Sequence, residues 1–538
     1  MTYSDAFVAD ISESGAAELD GTMYFWSQDL SGPPELYALD ASGAVTQTGI
    51  QTGNHDQLML FGGDLYSVGT DGTDSGLFRI DSSGTETHVP LGAPEATNPQ
   101  LSTATVFGDQ LLVTADNAAG ESVLFSVSDD GTATEISIAG TTDILLGDAV
   151  EFEGRLYLVA DDGDGTDLHV LEDDGTLTSL DINDAASSQP AIGMSRQFGG
   201  RLLFTAVDTG GRDLFAIDPT GSLTSIDLNP NGASSPALVH GVEAGDLLYL
   251  VADDGSGQDL IAIDENGTTA NLSLNANAGE SATILGLSAF GESVLASAND
   301  GTGRDIFTIS GTTATNQGLA TTGDFSGWPS NGVEFNDRWY FTGNAGSGET
   351  LYVVEAAGDI SPVDLTTVGA TNPDLSDALV LDNTLWFEAN DATGTDLFSI
   401  GVDDAITGHD LNDTTDAAPN LSGVVVMAGR GYFTADDGDG DDLFKVDGFG
   451  SVTGFDINDA GTASPDLAGS AVLSNVLYLA ADDGDGLELF AIRWHEDPIN
   501  LDLNPNGASM PSSITVVEDS LLVRANNGTS STIFTLHN

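Results

Sequence analysis

The chain has no cysteine, a single lysine and no long apolar run. Without cysteine there are no disulfides and no thiolate chemistry. Lys445 is one of only 11 basic residues, set against 85 acidic ones, and the formal net charge is −74. Such a surface repels nucleic acid and anionic lipid headgroups, so no nucleic-acid partner and no membrane insertion are expected. Apolar stretches stay short of the roughly 18 residues that suggest a spanning helix. No segment keeps a 3.6-residue apolar period, which predicts almost no helix. The first residues, "MTYSDAFVADISESG", lack a basic region and an apolar region. No cleavable secretory signal is expected there.

What the chain does have is repetition. Segments such as "ELYALDASG", "DLHVLEDDG", "DLFAIDPTG", "DLIAIDENG", "DLFKVDGFG" and "ELFAIRWHE" recur along all 538 residues. They align on Leu36, Leu77, Leu124, Leu168, Leu214, Leu260, Ile306, Leu351, Leu397, Leu443, Leu489 and Ile533, spaced 41 to 47 residues apart. A period near 45 marks one small unit that cannot bury its own apolar face and must stack on copies of itself. Hydrophobic content of 40% is enough for a core, and 66 glycines suit a chain of frequent tight turns.

Residues 190–234 show the unit. "PAIGMSRQFGG", "RLLFTAVD", "DLFAID" and "SLTSIDLN" read as four short strands separated by glycine, asparagine and aspartate turns. Four antiparallel strands per 40–50 residues is the pattern of a β-propeller blade. The expected fold is therefore all-β: a propeller of twelve four-stranded blades over residues 1–538. The last repeat stops after its third strand, while "TYSDAFVAD" looks like a stray fourth strand. A strand at about residues 3–9 would then complete the blade of residues 510–538 and remove an open edge. "LDINDAASSQP" (180–190) and "FDINDAGTASP" (455–465) lie 275 residues apart, as do "IDLNPNGASSP" (226–236) and "LDLNPNGASMP" (501–511). This implies duplication of a six-blade ancestor. The hairpin at 262–274 resembles every other and no linker interrupts the middle of the chain. A single closed ring is thus favoured over two six-bladed propellers at about 1–267 and 268–538.

The repeat resembles the bacterial ELWxxDGT-repeat family. "DLFAIDPTG" (213–221) followed by "IDLNPNG" (226–232), and "DLFKVDGFG" (442–450) followed by "FDINDAG" (455–461), carry the likeness, with "FTADDG" at 433–438. The family's tryptophan is replaced here by Phe, Tyr, His or Ile. The resemblance implies a large bacterial surface or secreted protein and supplies no activity.

The turns between the second and third strands are the richest in chemistry. "ADDGDGTDL" (160–168), "ADDGDGDDL" (435–443) and "ADDGDGLEL" (481–489) alternate acid and glycine. Ca²⁺ takes six to eight oxygens, which carboxylates and turn carbonyls can supply. The candidate ligand sets are Asp162, Asp164 and Asp167; Asp437, Asp439 and Asp442; and Asp483, Asp485 and Glu488. The competing reading is that Asp-Gly and Asn-Gly simply suit a turn needing positive φ. "GNAGSGET" (343–350) and "ANNGTSST" (525–532) keep the turn without the acids, and the spacing is not that of an EF-hand. Asn183, Asn229, Asn412, Asn458 and Asn504, in the connections between repeats, read as turn organisers. The aromatic after each anchor, such as Phe215 and Phe444, must face the opposite side of the sheet from the anchor and reads as core.

Catalysis finds little footing. The seven histidines fall at unrelated repeat positions, and no HExxH, GxSxG or phosphate loop occurs. The expected role is a non-enzymatic extracellular or cell-surface module, structural, adhesive or binding. It would engage other surface proteins, glycans or copies of itself. The alternative is a carbohydrate-active enzyme, a glycosidase or lyase, with its site at the propeller mouth.

Overall fold

The computed structural model describes residues 3–4, 16–27, 34–42, 44–51, 58–70, 75–92, 95–136, 142–163, 165–183, 186–275, 281–319, 324–327, 331–346, 348–355, 358–458, 461–517 and 520–537. Among these the regular structure is antiparallel strand, with short 3₁₀ turns at Ile192–Met194, Leu238–His240 and Leu365–Val368. No helix among the described residues is long and apolar enough to cross a membrane.

The strands pair in sequence order. Ten sheets have four strands each, and an eleventh joins two four-stranded groups through the pair Gln51–Thr70. The repeat read above at 190–234 forms strands Arg196–Phe198, Arg201–Val207, Arg212–Ile217 and Leu223–Ile226, preceded by one of the 3₁₀ turns. At the chain ends, Tyr3–Ser4 pairs antiparallel with Ser531–His537, Tyr3 opposite Phe534 and Ser4 opposite Ile533. It supplies the fourth strand of the sheet that begins at Ser512. The remainder of the expected strand, residues 5–9, lies outside the described residues.

Contacts group the chain into two compact units, Phe7–Leu272 and Met1–Ala6 with Ser273–Asn538. Within each unit the core lies between consecutive sheets. In the first, Leu203, Leu214 and Ala216 pack with Leu248, Leu250 and Ile261 of the next repeat. In the second, Leu443 and Tyr432 pack with Leu477, Leu479 and Phe490.

The side-chain alternation of a strand explains the arrangement. Leu443 faces the following sheet, and its neighbour Phe444 faces the preceding one with Trp386 and Leu397. Leu397 and Phe398 divide in the same way, as do Leu124 and Phe125. The anchor and the aromatic are one structural device, repeated.

Leu397 is fully buried at such an interface. Leu397→Ala should lower the unfolding free energy by about 2–5 kcal/mol in urea titrations. Phe449→Ala, at a side chain 81% exposed, should leave the midpoint nearly unchanged. Equal effects would contradict this placement of the core.

Candidate functional site

In each repeat the turn between the second and third strands and the connection to the next repeat lie at the same end of the sheet, because successive strands run antiparallel. This end holds the acidic turns.

The turns are built by side-chain acceptors. Oδ1 of Asp161, Asp253, Asp436 and Asp482 accepts the N–H two residues on, at Gly163 (2.8 Å), Gly255 (2.7 Å), Gly438 (2.7 Å) and Gly484 (2.8 Å). Asn299, Asn344 and Asn526 do the same at 2.7–2.8 Å, so the role needs an acceptor and not a charge. The next residue repeats the pattern. Asp437 accepts from Asp439 N–H at 3.1 Å, and Asp483 from Asp485 N–H at 3.0 Å.

The second glycine of each turn has a separate reason. At Gly440 (φ 133°) an added Cβ would meet Thr462 Cβ at 2.4 Å, and at Gly486 (φ 124°) Ala508 Cβ at 2.6 Å. The connecting segment therefore rests directly on the turn backbone, which only glycine allows.

The expected ligand sets are split by this geometry. Asp162, Asp437, Asp439 and Asp485 are exposed, and Asp483 is half-buried. Asp167, Asp442 and Glu488 are buried at the start of the third strand. Asp164 lies outside the described residues. Among the described residues no three His, Asp or Glu side chains form a group able to hold a metal ion.

The buried acids belong to a longer series that motif reading missed as a class: Asp167, Asp213, Asp259, Asp305, Asp396, Asp442 and Glu488, each 1–6% exposed. The signal was present, since each immediately precedes an anchor. Its meaning depends on what lies opposite. Asp213 Oδ1 accepts from Ser234 N–H (2.9 Å) and Ser234 Oγ (2.7 Å). Asp167 accepts from Ser188 N–H (3.1 Å), Glu488 from Ser509 N–H (2.9 Å) and Asp305 from Leu319 N–H (3.0 Å). Asp167, Asp213, Asp305 and Glu488 thus tie the third strand to the segment that leaves the repeat.

Three oxygens in the series, Asp259 Oδ1, Asp396 Oδ2 and Glu488 Oε2, are buried without a protein partner. Burial pushes Asp259 and Asp396 up to about 6 and Asp442 up to about 7, with neighbouring aspartates adding to the shift. Burial likewise raises Glu388 to about 7.

The opposite end of the sheets holds several of the cations, although Arg212 and Arg304 open third strands beside the acidic turns. Arg155 bonds Glu172 (3.0 Å) and reaches Pro219 O (3.4 Å) of the next repeat. Arg338 bonds Glu355 (2.9 Å) and Asp404 of the next repeat. Arg79 bonds Asp64 and Asp130 O (2.7 Å), again one repeat on. The guanidinium of Arg430 lies 4.7 Å from the ring centroid of Trp494. Arg79, Arg155, Arg338 and Arg430 therefore act as clamps between neighbours, while Arg493 and Arg524 bond Glu496 and Ser531 of their own repeats.

No family model and no curated protein matches the chain. Solved structures similar to it include a Mycobacterium tuberculosis puromycin-hydrolyzing peptidase (14% identity, TM-score 0.27, 63% of this chain and 57% of that one). Porphyromonas gingivalis dipeptidyl peptidase 4 (10%, 0.29, 71% and 65%) and a streptogramin B lyase (18%, 0.22, 58% and 96%) are also similar. The chain spans less than two thirds of either peptidase. At these TM-scores the likenesses carry no functional weight.

Two predictions follow from the geometry of this end. Gly440→Ala should destabilise by about 3 kcal/mol through clash and backbone strain. Gly450→Ala, also at positive φ (80°) but in open space, should cost only about 1–2 kcal/mol. Matching losses at the two positions would contradict the close approach of the connection.

The second prediction concerns pH. Between an unfolded pKa near 4 and the raised values, the native chain binds more protons than the unfolded one. These carboxyls therefore contribute fully below about pH 4, and that contribution is lost as pH rises through 6–7. His409, pushed down to about 4 by burial, opposes them as a single group. Turn aspartates held low by hydrogen bonds, such as Asp218 and Asp391, act only below about pH 4. Unfolding free energy should fall from pH 5 to pH 8. Asp442→Asn should flatten that slope, by up to about 3 kcal/mol across the range. An unchanged slope in the variant would contradict the assignment.

Proposed function

We propose that the chain is a twelve-bladed β-propeller acting as a non-catalytic repeat module, outside the cell or on its surface. Its partners are other surface proteins, glycans or further copies of itself. The observation that carries the reading is the division of charge: Arg79, Arg155 and Arg338 are drawn into clamps between repeats, and the exposed turns present carboxylates. Four-stranded antiparallel sheets in sequence order, packed face to face, support the blades. The unbroken repeat pattern through residues 262–274 supports one closed ring. Particle averages by electron microscopy test this directly. A twelve-fold ring agrees, and two six-fold rings overturn the single-ring part while leaving the blades intact.

Labelling of intact producing cells with an antibody to the chain tests the location. Signal before permeabilisation agrees, and signal only after lysis overturns it. Turnover of a glycan panel, abolished by one carboxylate substitution, would replace the module with an enzyme.

Calcium belongs to the same proposal as a ligand of the exposed turn carboxylates, Asp437 and Asp439 foremost. Binding only to the native state stabilises it by roughly 2.7 kcal/mol per site at a hundredfold excess over Kd. The melting temperature should rise more with Ca²⁺ than with Mg²⁺ or NaCl at matched ionic strength. Asp437→Asn with Asp439→Asn should remove part of the difference. Equal melts in all three salts would reduce the turns to turns and the acidity to solvation.

A further inference from the structure

Ten arginines serve this chain, and their pairing has one exception. Arg155 and Arg338 open their second strands and bond the glutamate 17 residues on, Glu172 and Glu355. Arg201 and Arg430 occupy the same place but face an aspartate at that spacing, Asp218 and Asp447. These shorter carboxylates are already engaged. Asp218 Oδ1 accepts from Thr220 N–H (2.8 Å) and Ser222 N–H (2.9 Å), and Asp447 Oδ1 from Phe449 N–H (2.9 Å) and Ser451 N–H (3.0 Å). Arg430 compensates by donating to Ala428 O (3.0 Å) and lying under the indole of Trp494. The residue equivalent to Trp494 in the repeat that follows Arg201 is Glu265, since Arg493 and Asp264 hold the same pairing position on their strands.

Arg201 has no ring above it and makes no hydrogen bond or ion pair within bonding distance among the described residues. A cleft of about 360 Å³ opens there instead, lined by Arg201, Asp218, Ser225, Asp227, Asn266 and Thr269 among others. Its size falls at the lower end of small-molecule clefts, about 300–1,000 Å³.

We propose that this cleft binds a neutral saccharide ring, seated over the Arg201 guanidinium where Trp494 sits over Arg430. The chemistry of the lining selects that class. Arg201 offers only donors, Asp227 only acceptors, and Ser225, Thr269 and Asn266 offer both. Adjacent hydroxyls, each able to donate and accept, match such an alternation. An anionic ligand would face Asp218 and Asp227 with like charge, and a cationic one would face Arg201. The inference rests on the glycan arm of the function proposed above and gives it a location.

The test is saturation-transfer difference NMR on the full chain with millimolar maltose, cellobiose and lactose as probes and sodium galacturonate as the charged comparison. At least one neutral disaccharide should show transfer. Arg201→Ala should reduce it at least tenfold. Glu265→Trp, which lays an indole over an intact Arg201, should do the same. Arg338→Ala, at the equivalent place in another repeat and touching no residue of the cleft, should leave it unchanged, and thermal melts of each variant establish that it is folded. No transfer from any neutral disaccharide overturns the cleft and the glycan arm together, leaving protein partners and self-assembly standing. Transfer that survives both Arg201→Ala and Glu265→Trp keeps glycan binding and overturns the cleft. Transfer from galacturonate alone overturns the neutral-ring assignment.

Discussion

Within each compact unit the repeats depend on the packing of one sheet face against the next. A single four-stranded sheet of some thirty residues has two apolar faces and no means of covering either. The anchor and the aromatic beside it supply one side chain to each face, so the interface between two repeats is made from both. Stability is then approximately a sum over neighbouring pairs. The same requirement explains the glycine that lets a connection lie flat on a turn, since any spacer there would part the sheets.

Charge is arranged around that packing. With 85 acids and 11 bases, the chain cannot neutralise its surface, and it does not spread its cations over it. It places several arginines, Arg155 and Arg338 among them, where one repeat meets the next, at the end opposite the acidic turns. Among the described residues most buried acids hold a repeated position, where the carboxylate accepts from a backbone N–H of the outgoing segment, and Asp64 is buried against Arg79 instead. Such groups hold the segment in register and carry a desolvation cost that makes stability depend on protonation.

Much of the architecture was legible before any coordinates. Period-2 runs bounded by Asn, Asp and Gly read directly as strands and turns, and the pairing of Tyr3–Ser4 with the last strand answers the missing strand of the final repeat. The site was harder to read. Asp437, Asp439 and Asp442 look alike in sequence, yet two are exposed and the third is buried. The difference comes from strand register: Asp442 pairs with Ala435 inside the sheet, while the other two fall in the turn. Local spacing cannot distinguish a carboxylate bent back onto its own turn from one aimed at a cation. The exceptional state of Arg201 was equally hidden, because it depends on Asp218 being one methylene shorter than Glu172 and already bonded to its own turn.

The account rests on coupling between sheets, and a double-mutant cycle across one interface measures it most directly. Leu443 faces forward and Phe490 faces back within the same core cluster. Truncation of both to alanine, separately and together, should show an interaction free energy of about 0.5–3 kcal/mol. Losses that add within about 0.3 kcal/mol would mean that the two sheets do not support one another, and would contradict the account.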